Sequence, residues 1–138
     1  MNTLGSLHPE VRQRVEWLLR VAQGNGIPVK ITSTGRSSTE QARLRANWET
    51  CVARGLYPSS ASLAPGFSCR YPANRAGDSS HEWGVAFDSS VPAQWLDVWT
   101  QLRELAGFQV LDENGDPIHA EVPGWRTFRD AGLLVAVS

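Results

Sequence analysis

Two short motifs contain the residue types that bind a catalytic zinc ion. His81 and Asp88 stand seven positions apart in the first motif, and Asp116 and His119 form an Asp-x-x-His pair in the second. Zinc that takes part in a reaction usually has three nitrogen or oxygen ligands and keeps its fourth position for water. Two histidines and two carboxylates therefore provide three ligands and one group that can accept a proton from water.

The first motif does not match the helical His-Glu-x-x-His zinc site. Val85 stands where that site would have its second histidine, and Gly84 disfavours a helix. We therefore expect His81 in a loop and Asp88 on a strand. Glu82 is an alternative base, but a side chain next to a ligand is expected to point the other way.

The second motif is expected on a neighbouring hairpin strand. Asp116 and His119 are three residues apart, whereas residues on one face of an ideal strand are separated by an even number of positions. We expect a bend at Pro117 that lets the Asp116 carboxylate reach the metal-bound water while His119 binds the metal. The turn chemistry at 112–115 favours an aspartate there in any case, so Asp116 is alternatively a simple turn residue.

Hydrophobic periodicity and turn residues predict an α+β fold, in which about three helices flank a small antiparallel sheet that carries the zinc site. The expected strands cover 27–32, 85–87, 108–111 and 117–122. The expected helices run from Pro9 to about Gln23, from a cap at Ser38 or Thr39 to about Ala53, and from Val91 to Gly107. In the third helix, the apolar stripe consists of Trp95, Val98, Leu102 and Leu105. The segment 55–78 is rich in Pro, Ser and Gly and could wall a substrate groove.

The composition limits the size of the protein and its partners. With 138 residues and a net charge of −1, the chain fits a single catalytic domain spanning 1–138, without a separate wall-binding domain. The arginines are scattered, so we expect no nucleic-acid partner. No apolar run could span a bilayer, so we expect no membrane partner. We also expect a monomer. Cys51 and Cys69 are expected as two reduced thiols, with a disulfide formed after export as the alternative.

The pattern Ser-x-His-x-x-Gly-x-Ala-x-Asp, followed by Asp-x-x-His-x-Glu, resembles a family of zinc peptidoglycan peptidases. This family includes VanY-like and VanX-like D-Ala-D-Ala peptidases and the L-alanyl-D-glutamate endopeptidases of phage endolysins and sporulating bacteria. The resemblance extends from about Ile31 to Glu121. Residues 34–41 look like the family's Gly-Tyr-Arg-Ser...Gln segment, although the tyrosine is missing here. The resemblance to this family implies a fold of the Hedgehog and DD-peptidase type.

The resemblance also implies site roles. One Zn²⁺ would be bound by His81, Asp88 and His119, Asp116 would act as the general base, and Arg36 would stabilise the tetrahedral intermediate. The alternatives are that the histidines are buried structural residues and that Arg36 pairs with an acidic neighbour.

Five further residues are candidates for roles in the substrate groove or around the metal. The resemblance implies that Ser79 and Gln41 contact substrate. Trp83 could stack on a sugar or floor the groove, as could Trp125, although most tryptophans in a small domain belong to the core. Glu121 lies two residues beyond His119 on the same strand face, so it is expected to orient that ligand, with a solvent-exposed carboxylate as the alternative.

The expected activity is hydrolysis of an amide in the peptidoglycan stem peptide, which is the partner that the resemblance implies. In this family Asp-x-x-His goes with L-alanyl-D-glutamate endopeptidases and Glu-x-x-His with D-Ala-D-Ala carboxypeptidases, so Asp116 favours the former. A D-Ala-D-Ala carboxypeptidase of the same fold remains the alternative enzyme. The non-enzymatic alternative is a virion structural or wall-binding module with a structural metal. Because residues 1–9 lack signal-peptide features, we expect a phage endolysin or virion lysin that is made in the host cytoplasm and reaches the wall after holin release.

Overall fold

The computed structural model describes residues 3–113 and 116–138, with the backbone alone described for 112, 113, 116 and 117. The α-helices are α1 (Pro9–Gly24), α2 (Ser38–Ala53), α3 (Leu96–Leu105) and α4 (Trp125–Asp130), and short 3₁₀ turns cover Leu4–Ser6, Ser80–Trp83 and Ala93–Trp95. The strands are β1 (Lys30–Ser33), β2 (Ser62–Ala64), β3 (Phe67–Ser68), β4 (Ala86–Ser90), β5 (Gln109–Glu113) and β6 (Asp116–Glu121). The predicted α+β class is therefore confirmed, with α4 as an additional short helix.

The main sheet places the two zinc motifs side by side. Its strand order is β1-β4-β6-β5, and all neighbouring strands are antiparallel. Asp88 on β4 is the Cα partner of His119 on β6. Residues that are directly paired across antiparallel strands point to the same face, so the register brings both side chains to one face of the sheet.

An irregularity in the β5–β6 ladder lies at the expected bend. Leu111 pairs with His119 and Glu113 pairs with Asp116, so two residues of β6 lie opposite one residue of β5. An extra residue of this kind changes the alternation of the bulged strand. The shift spans Pro117, so the backbone register between Asp116 and His119 departs from regular alternation.

Helix α1 packs against the sheet as its periodicity predicted, through Val11, Val15, Leu18 and Ala22. The predicted core face of α3 is confirmed in part, because Trp95 and Leu102 pack against the core. Val98 and Leu105 are 43% and 74% exposed, whereas Trp99 is 1% exposed. The chain makes a 3₁₀ turn at 93–95 before α3 begins. The residues that pack against the core are thus Trp95, Trp99 and Leu102, at the spacing of one helix face.

Helix α2 begins with a capping box one residue earlier than predicted. The Ser37 hydroxyl accepts a hydrogen bond from the Glu40 backbone N–H, and the Glu40 carboxylate accepts one from the backbone N–H of Ser37. Both hydrogen bonds satisfy backbone N–H groups that the start of a helix leaves without partners. Glu40 therefore has a structural role at the start of α2.

Cys51 and Cys69 form a disulfide, which corrects the expectation of two reduced thiols. Both residues are fully buried, and their Cα atoms are 5.6 Å apart. The Asn47 side chain on α2 donates a hydrogen bond to the backbone carbonyl of Ser68. This contact brings Cys69, the residue after β3, next to the last turns of α2, where Cys51 lies. The segment 55–78 is thus attached to α2 and contains the β2–β3 hairpin.

Among the described residues, no helix combines the length and apolar character needed to cross a membrane.

Candidate metal site

Three ligand atoms converge at one point on the face of the sheet. The Asp88 Oδ1 atom lies 3.2 Å from His81 Nε2 and 3.0 Å from His119 Nδ1, and the two nitrogens are 3.2 Å apart. In a tetrahedral zinc site with bonds of about 2.0–2.1 Å, neighbouring ligand atoms are about 3.3–3.4 Å apart. The three atoms therefore have nearly the spacing of three corners of such a site, and they could hold one metal ion.

The 3₁₀ turn at 80–83 presents His81 to this point. The Ser79 hydroxyl accepts a hydrogen bond from the His81 backbone N–H at 3.3 Å and so caps the turn. Gly84 ends the turn with a positive φ of 68°. A Cβ atom there would lie 2.8 Å from the backbone nitrogen of His8, so both the conformation and the close packing require glycine.

The tautomer of His81 suits a metal ligand. Its Nδ1–H donates to the backbone carbonyl of Thr34 at 2.6 Å, so its Nε2 atom is left with a lone pair facing Asp88 and His119. A ring nitrogen that donates to a carbonyl is a common way to fix a ligating histidine. Burial lowers the pKa of His81, and although Asp88 opposes this effect, the nearby Arg36 adds to it. The ring is therefore neutral, as a metal ligand must be.

His119 lies between two carboxylates. Its Nδ1 atom faces Asp88, and its Nε2–H donates to Glu121 Oε1 at 2.8 Å. Burial alone would lower the pKa of His119, but the hydrogen bonds to Asp88 and Glu121 raise it to about 9. Burial would raise the pKa of Asp88, yet His81 and His119 hold it well below its usual range. In the metal-free protein His119 thus carries a proton that a metal ion must displace.

The carboxylate of Glu121 is itself held by two other donors. Its Oε1 atom accepts a hydrogen bond from the Ser80 hydroxyl at 3.1 Å, and its Oε2 atom accepts one from Trp125 Nε1 at 2.9 Å. The structure therefore places Glu121 in contact with His119, the ligand that it was predicted to orient. Trp125 is 1% exposed, so it lies in the core and its ring is not available to stack on a sugar. Neither Ser80 nor the indole N–H was expected in this network.

A cavity of about 290 Å³ opens over the three ligand atoms. Part of its wall consists of the α2 residues Leu44 and Asn47 and of several residues of the segment 66–74. This segment was expected as a possible groove wall, and the structure places it there. The expected substrate contacts Ser79 and Gln41 also line the cavity, as does Arg36. A cavity of this size can accommodate part of a peptide next to a bound metal ion.

Arg36 is fixed at the cavity wall by several contacts. Its Nη1 group donates to Gln41 Oε1 at 2.9 Å and its Nη2 group donates to Ser33 Oγ at 3.1 Å, while its backbone N–H donates to the His81 carbonyl. Gln41 is 1% exposed and also donates from Nε2 to the backbone carbonyl of Asn74. Gln41 therefore connects Arg36 to the wall segment.

Some predicted residues lie elsewhere. Trp83 packs partly buried against the core, its indole N–H donates to the Gly77 carbonyl, and it lines a separate surface depression. The structure thus does not bring Trp83 into the cavity over the metal ligands. The Glu82 carboxylate accepts hydrogen bonds from the backbone N–H groups of Gly77 and Ser79 and from the Ser38 hydroxyl, away from the ligand atoms. The side chain of Asp116, the expected base, lies outside the described residues.

A buried arginine adjoins the strand that carries His119. Arg103 on α3 is fully buried, and its Nη1 group donates to the backbone carbonyl of Ile118 at 3.4 Å. Burial lowers its pKa to about 10, although Glu104 and Asp88 oppose the shift. The guanidinium therefore remains charged at neutral pH and supports β6 next to the metal ligand. Hydrophobic periodicity could not indicate this residue, because a charged side chain is normally assigned to the exposed face.

No protein-family model matches the chain, and no curated protein sequence is significantly similar to it. Several solved structures resemble this chain in fold. A mutant of the vancomycin-resistance D,D-pentapeptidase VanY, in complex with Zn(II), has 17% sequence identity and a TM-score of 0.57, and the match covers 92% of this chain and 80% of VanY. VanY in complex with D-alanine-D-alanine gives 17% identity, a TM-score of 0.58, and coverage of 92% and 78%.

The LD-carboxypeptidase LdcB, described for its recognition of peptidoglycan, has 16% identity and a TM-score of 0.59, and the match covers 92% of this chain and 65% of LdcB. At these identities the similarity concerns the fold. The chain therefore has the fold of the VanY and LdcB peptidases, as the resemblance of its two motifs predicted.

Proposed function

We propose that this protein is a zinc peptidase that hydrolyses an amide bond in the stem peptide of peptidoglycan. The observation that supports the proposal most strongly is the triangle of ligand atoms from His81, Asp88 and His119, with sides of 3.0–3.2 Å, at the base of a cavity. The fold adds support, because VanY has been solved with Zn(II) and with D-alanine-D-alanine, and LdcB is described for peptidoglycan recognition.

The proposed chemistry divides between the metal and two side chains. Zinc bound by these ligands would supply Lewis acidity and an open position for water. Asp116 is proposed to accept the proton from that water, since it lies on the same strand as His119, three residues before it. Arg36 is proposed to stabilise negative charge on the carbonyl oxygen of the substrate, and its position in the cavity lining and its hydrogen bond to Gln41 support this role.

We propose the bond between L-alanine and D-glutamate as the one cleaved. The support is the aspartate at position 116, because the family's endopeptidases have Asp-x-x-His. A second candidate is carboxypeptidase activity at the end of the stem, which the likeness to VanY and LdcB favours. In this protein either reaction would use the same metal and Asp116, so the difference would lie in how the stem peptide is positioned.

Digestion of purified muropeptides with the zinc-loaded protein, followed by mass spectrometry, tests the proposal. Cleavage after L-alanine releases the rest of the stem as one fragment, whereas a carboxypeptidase lowers the mass by one terminal residue. The Asp116→Asn protein serves as the matched control and should leave the muropeptides intact. Muropeptides that stay intact with the zinc-loaded wild-type protein would contradict the proposed function and leave the non-enzymatic wall-binding role.

The proposed biological setting, a phage or virion lysin, is supported by the resemblance to endolysin endopeptidases. Added protein should lower the turbidity of Gram-negative cells whose outer membrane has been permeabilised, and the His81→Ala protein should not. A wild-type protein that cleaves isolated muropeptides but leaves such cells intact would contradict this setting and not the peptidase activity.

A further inference from the structure

Arg126, on the short helix α4, lines the same cavity as the three metal ligands. We propose that its guanidinium binds a free carboxylate of the stem peptide and so makes Arg126 a specificity-determining residue. This inference rests on the proposed function, and it adds to it a preference for stem peptides that carry a negative charge over amidated ones.

The other charged residues described along the cavity have partners within the site. Asp88 contacts both histidine ligands, and Glu121 accepts hydrogen bonds from His119, Ser80 and Trp125. Arg36 donates to Gln41 and Ser33. Their charges therefore act mainly on the metal ligands and on the reacting centre, whereas the ion pair of Arg126 is with Asp78, which is not part of the cavity lining.

Arg126 is available to a ligand. Its side chain is 53% exposed, its Nε atom is 3.6 Å from the Asp78 carboxylate, and its Nη2 group is 3.5 Å from the Asp78 backbone carbonyl. The Asp78 carboxylate is itself exposed and makes a shorter contact of 3.1 Å with Arg129. Exposed ion pairs of this kind contribute little free energy, so a substrate carboxylate can replace the long contact to Asp78 at small cost.

The position of Arg126 relative to the metal site is set by its neighbour. The guanidinium carbon lies 4.5 Å from the centroid of the Trp125 ring, which is buried. Trp125 donates its indole N–H to Glu121, and Glu121 contacts the ligand His119. A guanidinium stacked on an aromatic ring is restricted in orientation. It can therefore hold an anionic group at a defined place relative to the bond that is cut.

The chemistry of the substrate fits this site. Stem peptides carry carboxylates at the α-position of D-glutamate and at the carboxyl terminus, and an amide at either position removes the charge. A carboxylate can accept two parallel hydrogen bonds from a guanidinium, whereas an amide offers one acceptor oxygen and an N–H group that repels the donors. The site should therefore favour an acid over the corresponding amide at one of these two positions.

The test uses three otherwise identical muropeptides, one with both carboxylates free, one amidated at the D-glutamate α-carboxylate and one amidated at the carboxyl terminus. We expect zinc-loaded wild type to prefer the free acid over one of the amides about 10- to 100-fold in kcat/KM, mainly through KM, as expected for a hydrogen bond between charged groups. The Arg126→Gln protein should lose this preference and cleave that amide at the wild-type rate. The Arg129→Gln protein, the matched control, should keep the preference.

Equal discrimination by wild type and Arg126→Gln would overturn the inference. Binding separates this outcome from failure of the proposed function. Calorimetry with the zinc-loaded Asp116→Asn protein and the same peptides measures affinity without turnover. An acid-over-amide preference that the added Arg126→Gln change removes supports the inference even if the wild type cleaves nothing, and equal affinities for acid and amides contradict it.

Discussion

Replacement of Glu121 by glutamine should weaken zinc binding and destabilise the fold together. The wild-type carboxylate accepts hydrogen bonds from His119 Nε2 and the Ser80 hydroxyl at Oε1, and from Trp125 Nε1 at Oε2. A glutamine side chain has one acceptor oxygen. In either orientation of its amide, the NH₂ group faces the N–H of His119 or the N–H of the buried Trp125.

The magnitude follows from these contacts. A buried donor left without an acceptor costs about 1–3 kcal/mol, so the free energy of unfolding of the metal-free protein should fall by this amount. Loss of the group that orients a metal-binding histidine typically lowers metal affinity about 10- to 100-fold. Since tenfold corresponds to about 1.4 kcal/mol, the loss in zinc-binding free energy should be about 1.4–2.8 kcal/mol.

Urea denaturation of the metal-free protein and zinc competition against a chelator measure the two effects. The Glu16→Gln protein is the matched control, because Glu16 makes an exposed ion pair with Arg12 on α1, and both of its values should stay close to wild type. A Glu121→Gln protein with wild-type zinc affinity would refute the reasoning that Glu121 orients His119. A change in stability alone would show that its contacts serve the core and not the metal.

The remaining predictions concern the base, the proton balance and the disulfide. The Asp116→Asn protein should retain zinc and lose most hydrolysis, whereas His119→Ala should lose both; metal analysis that finds no zinc in the Asp116→Asn protein would show that Asp116 is a ligand. Because the two carboxylates outweigh burial and raise the pKa of His119 to about 9, whereas burial keeps His81 neutral, calorimetry in two buffers at pH 6 should detect release of about one proton per zinc bound. No release would show that His119 is neutral in the metal-free protein. Replacement of Cys51 and Cys69 by alanine should lower the free energy of unfolding by about 3 kcal/mol, as expected for a loop of 18 residues, and an unchanged urea midpoint would mean that the bond does not form.

The sequence predicted the parts of the fold that depend on local periodicity. The buried face of α1 followed from Val11, Val15 and Leu18, and short apolar or β-branched runs next to turn residues located the strands of the sheet. The core face of α3 was predicted only in part, because Val98 and Leu105 also fit a helical period, whereas the structure buries Trp99 and leaves both of them exposed. Helix α4, beginning at Trp125, was missed because six residues give too short a window for a helical period.

The geometry around the metal depends on contacts between residues distant in sequence. The sequence indicated His81, Asp88 and His119 as ligands, and the structure brings their atoms within 3.2 Å of one another. It could not indicate that the Thr34 carbonyl fixes the tautomer of His81, or that a tryptophan donates to Glu121. The pairing of the two cysteines likewise depends on how the segment 55–78 folds back on α2.

Stoichiometric zinc titration of chelator-treated protein, with muropeptide cleavage as the readout, tests the central claim most directly. If His81, Asp88 and His119 hold one catalytic zinc ion, activity should be absent from the metal-free protein, rise linearly with added zinc and reach its maximum at about one equivalent per chain. Cleavage that survives complete removal of the metal, or no cleavage at one equivalent of tightly bound zinc, would contradict the account.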